Sequence, residues 1–172
     1  EEDQLVPKEI EALKERCVVA IAAKMVLTDK GEVLTFGGSR HGYAGALNDP
    51  TPEVVATLPG TRVVAIAAGG VHDLLLADTG DVLSFGTGSS GQLGHGVKKD
   101  ELLQPKVIEK MRGVRVVAIS AGLHHSLVLT DCGKVFLFGT KWYKRSRTAR
   151  EVATNVSEYE YQLEPELVEV PD

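Results

Sequence analysis

Short apolar runs alternate with breaks rich in Gly and Asp along the chain, a pattern of strands and tight turns rather than of helices. The middle of the chain is the clearest. Arg62 to Ala68 is β-branched and apolar and stops at Gly69-Gly70, a strand running into a loop. Asp73 to Ala77 reads as a second strand, and Asp78-Thr79-Gly80 as a hairpin connection with Gly where a positive φ is wanted. Asp81 to Phe85 is a third strand that Gly86 ends. A Gly-rich loop follows from Thr87 to Gly96, and Pro105 to Glu109 makes a short outer strand, a position that tolerates proline. Val82-Leu83-Ser84-Phe85 and Val135-Phe136-Leu137-Phe138 are near-continuous apolar runs, as expected of strands covered on both faces.

The same pattern returns. Val18-Val19-Ala20-Ile21-Ala22-Ala23 is nearly copied at Val63 to Ala68 and again at Val116 to Ala121. The stretch Leu27 to Gly37 returns at Leu76 to Gly86 and at Leu129 to Gly139, with the Phe-Gly pairs at Phe36, Phe85 and Phe138 spaced 49 and 53 residues apart. Hairpin glycines recur at Gly31, Gly80 and Gly133, and proline-led apolar segments at Pro7, Pro52, Pro105 and Pro165. A period of about 50 residues indicates a propeller or a solenoid, and four strands per period with tight turns select the propeller. The predicted fold class is therefore all-β, with about three four-stranded antiparallel blades. One local signal dissents: Lys8 to Arg16 holds strong helix formers after Pro7. The equivalent segments at Pro52 and Pro105 favour strand, and the repeat predicts the same for Lys8 to Arg16.

Composition narrows the classes. The chain has 172 residues and 43% hydrophobic content, enough to bury a core as one domain. A net charge of -5 argues against general affinity for nucleic acid or anionic membranes, and no apolar run is long enough to span a bilayer. Cys17 and Cys132 lie far apart, without the spacing of a disulfide scaffold or zinc ribbon. The chain opens on Glu1 with no charged-then-apolar leader, so it is expected to be cut from something longer or to lack its start.

Gly122-Leu123-His124-His125-Ser126-Leu127-Val128-Leu129-Thr130 and the following Asp131-Cys132-Gly133-Lys134-Val135-Phe136, with Gly91-Gln92-Leu93-Gly94-His95-Gly96 after Phe85-Gly86, resemble the regulator of chromosome condensation repeat. The resemblance covers roughly Pro7 to Gly139. It implies a seven-bladed β-propeller, of which three repeats make only part, so the remaining blades are expected elsewhere. It also implies that the histidine position, read here at His72 and His124, is structural and bonds backbone between blades. The expected organisation is a single partial propeller over 1–172. Repeat one is placed at 7–51, repeat two at 52–104, and repeat three at 105–164 with a divergent insertion at 141–163. The start of a further repeat is placed at 165–172. Repeat one also passes from Ala23 straight to Lys24, lacking the four residues that hold Gly69-Gly70-Val71-His72 in repeat two; the loop is either deleted or missing.

Chemical candidates are few. Gly86-Thr87-Gly88-Ser89-Ser90-Gly91 matches a dinucleotide fingerprint, but the chemistry needs a helix N-terminus facing the pyrophosphate, and Gly94, Gly96 and Pro105 leave no room for one. His72 and His124 lack the convergent acids or ligands of a general base or metal site, so no metal and no cofactor are expected. No base stands by Cys17 or Cys132 to make either a nucleophile. Asn155-Val156-Ser157 is a glycosylation sequon expected to be silent in a chain without a leader.

The most distinctive segment is Lys141 to Arg150, five cations with the sole Trp of the chain. Its bland reading is a solvated loop. The sharper one makes Trp142, Tyr143, Lys144, Arg145 and Arg147 a partner-binding surface, since Trp, Tyr and Arg are the usual interface anchors. The function that follows is a non-catalytic protein–protein interaction scaffold in a larger protein or complex. The alternative, implied by the resemblance, is guanine nucleotide exchange on a small GTPase. The UV-B photoreceptor branch of the family needs clustered tryptophans, and only Trp142 is present. Partners are expected to be proteins, a small GTPase under the alternative reading, with no membrane and nucleic acid disfavoured. The expected location is intracellular, in cytoplasm, nucleus or cilium.

Overall fold

The computed structural model describes residues 9–36, 52–55, 59–141 and 160–169, and these form three four-stranded antiparallel sheets. The first holds β1 (Val18–Ala22), β2 (Met25–Thr28), β3 (Val33–Thr35) and β4 (Glu53–Val54) in that order. The second holds β5 (Val63–Ala68), β6 (His72–Ala77), β7 (Val82–Gly88) and β8 (Lys99–Val107). The third holds β9 (Val116–Ala121), β10 (His125–Thr130), β11 (Val135–Lys141) and β12 (Glu160–Leu167). Each sheet is a propeller blade, and β1, β5 and β9 are the inner strands through which neighbouring blades touch.

The core lies between the blades. Along β6, Leu75 and Ala77 point into one cluster with Met25, Leu27, Val33, Val63 and Leu83, while Leu74 and Leu76 point into another with Val82, Val116, Val128 and Phe138. The period of two in a strand divides its side chains between two faces, and here both faces meet apolar neighbours. That is why these strands lack a polar face. Each inner strand carries a register irregularity at the same place, between Val18 and Ala20, Val63 and Ala65, and opposite Leu129/Thr130 on β10.

The hairpins obey the predicted turn chemistry: Gly31, Gly80 and Gly133 take φ of +81°, +89° and +80°. Their surroundings differ in an instructive way. A β-carbon on Gly31 would meet Arg62 at 2.6 Å and one on Gly80 would meet Arg115 at 3.4 Å, both from the next blade, whereas Gly133 has nothing within 4 Å. Leu74, Leu76, Val82 and Ile108 are at most 4% exposed beneath the third blade. Their counterparts on the third blade are Leu127 and Val135, half-buried, and Leu129 and Val168, 36% and 39% exposed. The third blade thus presents the side that the first two blades bury.

Several details depart from expectation. The segment Lys8 to Arg16 forms neither a strand nor a full helix within its described part: Glu11–Leu13 is a single 3₁₀ turn, and Glu109–Met111 repeats it before β9. The connector returns the chain from outer to inner strand in a few residues, so helix formers cannot extend past one turn. β7 runs two residues past Gly86, because Gly88 still pairs with Lys99 at the start of a longer β8. The proline-led segments at Pro52, Pro105 and Pro165 fall at or in β4, β8 and β12, which close the preceding blade on its outer edge. The gap after Ala23 is closed by a two-residue turn that joins Ala22 directly to its partner Met25, with Ala23 itself at φ +40°. Trp142, Tyr143, Lys144, Arg145 and Arg147 lie outside the described residues. No helix among the described residues is long and apolar enough to cross a membrane.

Candidate functional site

The loops between first and second strands, and the ends of β7 and β11, share one rim of the three blades. Register fixes which histidine belongs to the repeat: His72 stands opposite Gly86 and His125 opposite Gly139. The assignment of the repeat histidine to His124 is therefore corrected to His125. His124 sits one residue earlier in the loop, its Nδ1 buried without a hydrogen-bond partner.

His72 does bridge blades, through a hydroxyl instead of backbone. Its Nε2 lies 2.7 Å from Ser126 Oγ on the third blade, and that hydroxyl donates to the carbonyl of Gln92 at 2.9 Å. Because Ser126 spends its proton on Gln92, the imidazole nitrogen facing it acts as donor. Beside this link the amide of Gly70 donates to the carbonyl of Gly122 at 3.1 Å. Burial holds His72 far below the usual imidazole range, at about 3, with help from the charges of Lys24, His125 and His124. A neutral imidazole, 0% exposed, is a structural bridge rather than a base.

The Gly-Gln-Leu-Gly turn locks the same junction. Gln92 and Leu93 are fully buried, Ser84 Oγ donates to the Leu93 carbonyl at 2.8 Å, and Gly96 donates to the carbonyl of Leu163 on β12 at 2.9 Å. Gly94 approaches the ring of Phe138, which is wholly buried, whereas Phe85 and Phe36 are half-buried. Gly86 to Gly91 form strand and turn with no helix after them, so their geometry is that of a clasp between blades. Replacing Ser126 with alanine should strand His72 Nε2 and cost about 1–3 kcal/mol in chemical denaturation. A cost below about 0.5 kcal/mol would show that the bridge contributes nothing.

Sequence reasoning missed Lys24, Asp73, Ser126 and Gln92. Asp73 and Ser126 occupy one position, immediately after the repeat histidine, and that coincidence was the available signal. Across the first junction Lys24 Nζ lies 3.2 Å from Asp73 Oδ2. Burial pushes the Asp73 carboxyl up to about 6 even though Lys24 pulls it down, so desolvation outweighs the pairing.

On the rim itself, Leu123 is 62% exposed beside His124. The β11–β12 pair continues outward through Thr140↔Tyr161 to Lys141↔Glu160, and the amide of Thr140 donates to the His124 carbonyl at 2.8 Å. Lys141 is also paired with Glu166, and Lys98 Nζ lies 3.8 Å from the centre of the Tyr161 ring. The residues bracketing 142–159 therefore stand at the Leu123–His124 rim. Both cysteines are exposed. Cys132 lies on the opposite, hairpin rim, where the Thr130 hydroxyl at 3.2 Å draws its thiol below the ordinary range.

Comparison with known proteins agrees with this architecture. The pattern described as "Regulator of chromosome condensation (RCC1) repeat" matches residues 79–129. The human E3 ubiquitin-protein ligase HERC2 is 34% identical over 173 residues, covering 95% of this chain and 3% of its own length. The Arabidopsis thaliana ultraviolet-B receptor UVR8 is 31% identical over 179 residues, covering 99% of this chain and 38% of its own. Among solved structures, Prp20p from Saccharomyces cerevisiae, described with its binding to Gsp1p and histones, superposes with a TM-score of 0.62 at 18% identity, over 85% of this chain and 36% of that one. The chain thus spans only a minor part of the relatives it matches.

Proposed function

Since the chain belongs to the regulator of chromosome condensation repeat family, we propose that it is a non-catalytic interaction scaffold, an arc of a larger propeller that presents protein-binding loops on one rim. The observation that carries this reading is the rim where Lys141 and Glu160 bracket residues 142–159 beside exposed Leu123. Trp142, Tyr143, Lys144, Arg145 and Arg147 would supply the contact surface. Aromatics would contribute buried area, while cations would speed encounter with an acidic partner. The open side of the third blade supports the larger ring, because its apolar positions are those that the first two blades cover. A cytoplasmic or nuclear setting goes with this reading.

Charge reversal at Lys144 and Arg145 together should weaken partner capture, with the loss shrinking as salt rises. The melting temperature should stay nearly unchanged. Unfolding of the double variant would make the segment packing material, and undiminished capture would remove it from the interface. Nucleotide exchange remains the second reading, since the similar Prp20p is described as binding Gsp1p. Nucleotide release from a panel of small GTPases separates the two.

A further inference from the structure

We propose that the Lys24–Asp73 pair is a proton-responsive coupling between the first and second blades, created where the first repeat lacks its Gly-x-x-His loop. Asp73 stands opposite Phe85 and Ser126 opposite Phe138, so the two are one structural position. In the first blade that position belongs to Lys24, whose carbonyl accepts from the Phe36 amide at 2.8 Å. The histidine position before it is Ala23, which cannot reach across. At the second junction a neutral imidazole meets a neutral hydroxyl. At the first, the long Lys24 side chain takes over the reach, and an ion pair stands in the position where the second junction sets an imidazole against a hydroxyl.

The two charges are unequally placed. The Asp73 side chain is 1% exposed and that of Lys24 is 20%, and Asp73 Oδ1 has no hydrogen-bond partner. Dehydration therefore falls mainly on the carboxylate, and the lysine does not offset it in full. Lys24, from the β1–β2 turn, is the charged group whose field acts on Asp73. His72, next to it on β6, is held near 3 by burial and by Lys24, His125 and His124, so it stays neutral across the working range. The Asp73 carboxyl sits near 6, above its ordinary 3.8.

The sign follows from that elevation. A group whose folded pKa is raised holds its stabilising effect below the unfolded value and loses it as pH rises through the folded one. Acid thus tightens this junction although it breaks the ion pair. Opening should be about tenfold more frequent at pH 7.5 than at pH 5.0, the factor expected for one proton between those pKa values.

The test uses the intact chain. Carbon-13 NMR of the Asp73 carboxyl should titrate near pH 6, and hydrogen exchange in β2, corrected for intrinsic rate, should rise about tenfold between pH 5.0 and 7.5. Asp73→Asn should flatten that slope at the acid value, a comparison that also cancels any contribution from His124 and His125. A wild-type midpoint below about 4.5, or an unchanged slope in Asp73→Asn, overturns the proposal. If Asp73→Asn does not fold, Lys24→Met decides. It should move the Asp73 midpoint higher, and an unmoved midpoint overturns the coupling.

Discussion

Replacing Gly139 with alanine is expected to disrupt the third blade at a cost on the order of 3 kcal/mol or more, measured by chemical denaturation. Gly139 takes φ +101°, a conformation that L side chains rarely adopt. A β-carbon there would fall 2.4 Å from the His124 carbonyl oxygen, 2.7 Å from His125 Cα and 3.1 Å from Gln92 Cα. All three are backbone, so no side chain can swing aside. Gly133→Ala isolates the conformational part, since Gly133 has φ +80° and open space around it, and it should cost about 1 kcal/mol. Equal costs for the two substitutions would show that the close approach at Gly139 relaxes freely.

Phe138→Ala should remove about 3–5 kcal/mol. The ring is 0% exposed in the cluster that joins the second and third blades, and Gly94 approaches it closely enough that a β-carbon there would touch it at 3.0 Å. Collapse into the vacated space would have to move the Gly-Gln-Leu-Gly turn, which is tied down by Ser84 and Ser126. Phe85, half-buried against the first cluster, should cost clearly less under the same truncation. Matching values in urea denaturation would contradict the burial difference between the equivalent phenylalanines.

Much of this fold was legible before the structure. Apolar runs at Val63, Leu74 and Val82, with Gly80 between them, dictate strands and a hairpin whatever surrounds them. The 3₁₀ turn at Glu11–Leu13 was less legible, because local helix preference and the geometry of the return path pull in different directions. The repeat histidine was misplaced by one residue, although the 53-residue offset that carries Phe85 onto Phe138 also carries His72 onto His125, as the strand register confirms. Lys24, Asp73, Ser126 and Gln92 carry no motif of their own. Their roles arise from side chains reaching across a junction, which chain spacing does not encode. Trp142 to Arg147 stay a reading of composition.

The alternation along β6 bears on how the arc comes apart. Because Leu75 and Ala77 serve one cluster while Leu74 and Leu76 serve the other, the middle blade cannot lose its order without releasing both neighbours. Terminal blades each answer to a single described junction. Unfolding should then resemble a short one-dimensional chain of nearest-neighbour couplings, fraying from an end and becoming cooperative at the centre. Damage of equal local size would have unequal reach, and the second blade is where it travels in both directions.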